Sequence, residues 1–114
     1  MGATRTRPAK AAEPLIEAGF DAQAIARLTG RSTRTAERWA SGQTTPRGEA
    51  RERLVAAAAV LEALAAAIPG AQAASWLQRP NIELDFSSPA ELIERGEAKR
   101  VLALLTAIGE GAYL

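Results

Sequence analysis

WLQRPNIELDFSSPAELIERGEAKRVLALLTAIGEGAYL, residues Trp76 to Leu114, decides the fold, because its helix starts and stops are written in the residues themselves. Ser88 stands as an N-cap, Pro89 occupies the first helical position, where a missing N–H costs nothing, and Glu91 completes a capping box. Leu92 and Ile93 are the buried residues of that short helix, and Gly96 after Arg95 supplies the left-handed residue that ends it. A second helix follows. Glu97 in its first turn is favoured by the macrodipole, Ala98, Val101, Leu105 and Ile108 recur at helical spacing with Leu102 and Leu104 alongside, and Gly109 stops it. Glu110, Gly111, Ala112, Tyr113 and Leu114 then put an aromatic, an aliphatic and the terminal carboxylate on a Gly-flanked arm, where most chain ends are polar and frayed. Such an arm either folds back onto its own core, the commoner outcome by composition alone, or enters a pocket on another protein.

The ordered set Trp76, Pro80-Asn81, Leu84, Ser88-Pro89, Leu92, Gly96, Val101, Leu104-Leu105 and Gly111 before a terminal aromatic resembles the toxin-binding domain of the MbcA/ParS/Xre family of bacterial antitoxins. The resemblance implies a partner: members of this family pair with RES-domain toxins, which resemble ADP-ribosyltransferases and act on NAD. It also implies that the carboxyl end lies at the entrance of the toxin's active site and that the complex binds its own operator. The toxin-contacting residues it points to are Glu110, Gly111, Ala112, Tyr113 and Leu114, with Arg100. The residues themselves agree at one point, since Tyr113, Leu114 and a carboxylate offer an apolar anchor plus a negative charge to a site built for a nucleotide.

Composition narrows the alternatives. At 114 residues the chain is one small domain, or two submodules sharing a core, without room for a large catalytic cavity. Hydrophobic residues make up 47% and aromatics only 4%, so the apolar content is alanine and leucine, which favours close-packed helices over sheets. No cysteine and no histidine are present. Disulfides, thiolate nucleophiles, thiolate zinc sites and imidazole chemistry are therefore excluded, and no cofactor is expected. Glu83 and Asp85, one residue apart, have no third donor nearby to make a metal site. The basic N-terminus runs into Glu13 and Pro14 instead of an apolar region, and the alanine-rich stretch 55–68 is interrupted by Glu62, so a soluble, cytoplasmic protein with no membrane partner is expected.

Charge is divided unevenly. Residues 1–55 carry 10 Lys/Arg against 6 Asp/Glu, a net of +4, while residues 56–114 carry 4 against 7, a net of −3. A basic front and an acidic back imply two different partners, the first polyanionic. Residues 1–10, MGATRTRPAK, read as a flexible basic arm. A first helix is expected from about Ala11 to Ala18 with Leu15 and Ile16 inward, closed by Gly19, and Asp21 then caps a second over Ala22–Thr29 packed through Ile25 and Leu28.

Gly30 turns the chain and Ser32 caps TRTAERWA, a helix whose Ala36, Trp39 and Ala40 face the core while Arg34, Arg38 and Ser41 share the opposite side. Two short helices around a Gly turn, the second showing arginines and hydroxyls, form the helix-turn-helix pattern. Ile25-Ala26, Leu28, Gly30-Arg31-Ser32, Arg38-Trp39, Ser41-Gly42 and Pro46 are similar to the helix-turn-helix of Xre repressors. That geometry assigns Thr33, Arg34 and Thr35 to groove contacts and Arg31, Arg38 and Arg47 to phosphates of operator DNA.

The longest helix is expected from about Glu49 to Ile68, with Leu54, Ala58, Leu61, Ala65 and Ile68 as its stripe. Pro69-Gly70 breaks it, a fifth helix over Ala71–Gln78 buries Trp76 and Leu77, and NIELDF (81–86) is a turn or extended link. The fold class is all-α: a helix-turn-helix joined by a long central helix to a small helical toxin-binding domain. The boundaries are 1–10 for the arm, 11–68 for the helix-turn-helix with its long helix, and 69–114 for the toxin-binding domain. The reading is a non-enzymatic antitoxin that forms a homodimer and a hetero-oligomer with its toxin. Its rival is a stand-alone Xre-like repressor whose C-terminal half only dimerises.

Overall fold

The computed structural model describes residues 11–111. Among them are seven α-helices and no strand: α1 Glu13–Glu17, α2 Ala22–Thr29, α3 Thr33–Ser41, α4 Gly48–Ala67, α5 Gly70–Gln78, α6 Pro89–Glu94 and α7 Ala98–Gly109. A 3-10 helix spans Ile82–Leu84. The chain divides into two compact units, residues 1–58 and 59–114, the division falling inside α4.

In the first unit, helix ends are fixed by side chains chosen for the purpose. Asp21 accepts the Ala24 N–H at 2.9 Å to start α2, and Ser32 accepts the Thr35 N–H at 3.1 Å to start α3. Gly30 and Gly42 take the left-handed conformation that closes each helix. Ala24, Ile25, Ala26 and Leu28 of α2 are buried, as are Ala36 and Trp39 of α3, which pack against them. Thr29 is buried without penalty because its hydroxyl donates to the Ile25 carbonyl at 2.8 Å. From α4, the guanidinium of Arg53 donates to the Leu28 carbonyl at 3.1 Å, satisfying an orphan acceptor at the end of α2, and also holds Glu49 at 3.1 Å.

Three expectations fail in this unit. Ile16 is exposed, because a five-residue helix has one inward side, which Leu15 fills between buried Ala12 and Phe20. Ala40 is exposed too: the buried arc of α3 is only as wide as Ala36 and Trp39. In α4 the buried stripe is Ala50, Leu54, Ala57, Val60 and Leu64, sharing only Leu54 with the expected one, and Ala65 faces solvent. With alanine on every side of that helix, periodicity did not mark which face turns inward.

In the second unit α6 packs between α5 and α7, and α7 also meets the 3-10 helix. The capping box of α6 forms as read. Glu91 N–H donates to Ser88 Oγ at 3.1 Å, and Ser88 N–H donates to Glu91 Oε1 at 2.9 Å. Gly96, left-handed, lets the Glu97 N–H return to the Leu92 carbonyl at 2.8 Å. Val60, Leu64, Leu77, Leu84, Leu92, Ile93, Val101, Leu104 and Leu105 are the larger buried apolar residues, with Ala90 and Ala98 beside them in the buried set. Trp76, expected inside, is half-buried. Gly109 is the last residue of α7 and does not stop it; the left-handed residue is Gly111, after Glu110.

Candidate interaction surfaces

The first candidate surface is the α2–α3 turn. Arg31, Arg34 and Arg38 are exposed and Thr33 and Thr35 half-exposed, so the residues expected to meet DNA stand together at the front of α3 with Arg38 one turn behind Arg34. The cap uses one of these residues. Ser32 Oγ donates to Thr35 Oγ1 at 3.0 Å while accepting the Thr35 N–H, which leaves the Thr35 hydroxyl hydrogen able to donate outward. Thr33 and Arg31 border a shallow recess of ≈ 510 Å³ with Gln23, Arg27 and Gly30. Gln23 and Arg27 went unnoticed in the sequence because they belong to α2, and only the turn geometry carries them beside α3. Arg47, the remaining phosphate candidate, is exposed in the loop before α4.

The second candidate surface, expected at Glu110–Leu114 with Arg100, is described only at Arg100, Glu110 and Gly111. Glu110 is exposed and Gly111 half-buried at the far end of α7. Ala112, Tyr113 and Leu114 lie outside the described residues, as does the basic arm 1–10. Arg100 lies in the first turn of α7, about 15 Å along the axis from Glu110 at 1.5 Å per residue. There its guanidinium donates to Glu97 Oε1 at 3.2 Å and to Asp85 Oδ2 at 3.1 Å. Those two bonds, that to Glu97 first and that to Asp85 next, hold its pKa above the ordinary arginine value.

What Arg100 reaches is a closed turn. Asn81 N–H donates to the Ser87 carbonyl at 3.1 Å, and the Asn81 carbonyl accepts both Leu84 N–H and Phe86 N–H at 2.9 Å. Asn81 Oδ1 also caps the 3-10 helix by accepting Glu83 N–H at 2.9 Å. Leu84 points inward, 2% exposed, while Ile82 and Phe86 stand outward at 71% and 69%. Asp85 and Phe86 are both left-handed, φ 55° and 69°, which is uncommon for a bulky residue. Of the two expectations for 81–86, a turn or an extended link, the chain takes the turn.

A recess of ≈ 580 Å³ adjoins this turn at Asn81 and is lined further by Ile68, Gln72, Trp76, Arg79 and Pro80 among others, with Arg79 Nε donating to Ser75 Oγ at 2.9 Å. No helix among the described residues is long and apolar enough to cross a membrane.

The profile of the family described as "Antitoxin Xre/MbcA/ParS C-terminal toxin-binding domain" matches residues 56–111. The mycobacterial cidal antitoxin MbcA of Mycobacterium bovis is 36% identical over 96 residues, which cover 84% of this chain and 85% of that protein. MbcA of Mycobacterium tuberculosis gives the same figures. The crystal structure of the M. tuberculosis MbcT–MbcA toxin–antitoxin complex contains a chain that superposes with a TM-score of 0.76 at 34% identity, covering 96% of this chain and all of that one. An all-helical chain so related over most of its length belongs to the Xre/MbcA/ParS family of antitoxins.

Proposed function

We propose that the chain is the antitoxin of a type II toxin–antitoxin pair, that it blocks a RES-domain, NAD-degrading toxin by inserting its carboxyl end at the toxin's active site, and that it represses its own operon. The observation that carries the reading is the likeness to MbcA, which extends through both units and whose solved counterpart was crystallised with its toxin. Inhibition then needs no catalysis by this chain: occupying the nucleotide cleft suffices. Glu110 and Gly111 lead out of α7 and carry Ala112, Tyr113 and Leu114 to the cleft. The aromatic ring of Tyr113 takes the place of a base.

Residues 11–68 address DNA and residues 69–114 address the toxin, both in the cytoplasm. At the operator, Thr33, Arg34 and Thr35 enter the major groove while Arg31, Arg38 and Arg47 neutralise phosphates. A net of +4 over residues 1–55 supports only weak binding by one copy. Affinity therefore comes from a dimer, or from a toxin-bridged assembly, that presents several helix-turn-helix units at once.

The test is rescue. Cells carrying the toxin from the adjacent reading frame survive with the full chain and die when residues 112–114 are removed, although the shortened chain still binds the operator. Survival with the shortened chain rejects the plug, and a chain that binds DNA yet never protects cells is the plain repressor instead.

A further inference from the structure

The turn 81–87 displays what a folded protein ordinarily avoids. Ile82 and Phe86 are the most exposed large hydrophobic residues among those described, and they sit on backbone that is closed at both ends by Asn81 and Ser87 and pinned from α7 through Arg100 and Asp85. Phe86 has φ 69°, where glycine or asparagine would be at ease. Its ring returns little of that strain to folding, being 69% exposed. Strain of this kind persists where the surroundings over-determine it, and it clusters at binding sites.

We propose that Ile82 and Phe86 form an apolar knob, framed by Glu83 and Asp85 and held in shape by Arg100, which enters an apolar pocket with a basic rim on the toxin, independently of the carboxyl-terminal plug. The inference rests on the antitoxin reading above. Three observations single out the toxin as occupant. The turn lies inside residues 56–111, the span of the toxin-binding profile. A second copy joined knob to knob is disfavoured, because a two-fold axis through the turn sets exposed Glu83 and Asp85 near their own likenesses. Two side chains also cover far less than the roughly 1,200–2,000 Å² of a stable self-association, whereas beside a plug they need supply only part of an interface. A turn already closed by its own hydrogen bonds binds without an ordering cost. Arg100 is a positioning residue in this arrangement, tying the turn to α7.

Calorimetric titration of the full chain with the catalytically inactivated toxin from the adjacent reading frame tests the knob. Phe86→Gly relieves the left-handed strain, so its melting temperature is expected to equal or exceed that of the unaltered chain while toxin affinity falls about tenfold or more. Ile82→Ser weakens binding in the same direction. Arg100→Gln weakens it less and speeds amide exchange at Glu83 and Phe86, and combined with Phe86→Gly it costs little more than Phe86→Gly alone. Unaltered affinity for Phe86→Gly and Ile82→Ser, in a protein that loses rescue without residues 112–114, overturns the knob and leaves the plug standing. Loss of self-association on sedimentation with toxin affinity intact assigns the knob to a second copy and overturns it as well. Failure of the unaltered chain to bind this toxin overturns the knob together with the antitoxin reading.

Discussion

At the scale of single residues, Trp39 shows how a functional surface depends on its reverse side. Its indole is 4% exposed, packed with Ala36 beneath the face that carries Arg34 and Arg38. Trp39→Ala is expected to cost about 3–5 kcal/mol of folding stability, visible as a large drop in melting temperature before any specific contact is tested. An unchanged melting curve would place the ring outside the core. Ser88 makes a smaller claim. Ser88→Ala removes an acceptor for the Glu91 N–H and is expected to cost about 1 kcal/mol in a denaturant titration, whereas Ser88→Asp is expected to cost less. Residues of this type were legible in the sequence because a cap is a local matter: Asp21, Ser32, Ser88 and Gly96 act within a few positions of themselves. Ile16, Ala40 and Trp76 were not, since burial depends on what arrives from elsewhere in the chain.

At the scale of elements, α3 and α4 mark the limits of periodicity. On α3 the arginines and the tryptophan divide cleanly, so the outward face could be read at once. Arg34→Glu is expected to abolish operator binding in a gel-shift titration. Arg38→Ala should instead weaken every sequence alike and flatten the dependence of log K on log salt by about 0.9, the value of one phosphate contact. If Arg38→Ala alters sequence preference, its guanidinium touches a base and not a phosphate. The end of α4 was legible from Pro69-Gly70, but its inward face was not, because alanine at 56–59, 63 and 65–67 makes all sides alike. The turn 81–87 was the least legible element. Nothing in NIELDF advertises left-handed backbone, for neither Asp85 nor Phe86 is glycine, and the bonds that close the turn run between Asn81 and Ser87 outside any recognisable hairpin pattern.

At the scale of the whole molecule, the opposite net charge of residues 1–55 and 56–114 fits the proposed division between DNA and toxin, and the two can be tested apart. Adding the inactivated toxin to the chain is expected to raise apparent operator affinity severalfold and to steepen its salt dependence, because several helix-turn-helix units then engage at once. Identical titration curves with and without toxin would show that one partner is indifferent to the other. The strained backbone at Asp85 and Phe86 has a consequence for anyone who tries to improve this protein. A heat-tolerance screen run on the isolated chain rewards glycine at position 86, just as evolution in the absence of a poison would. The sturdiest descendants of such a screen are expected to bind the toxin least, so heat tolerance and toxin affinity have to be scored side by side in any such selection.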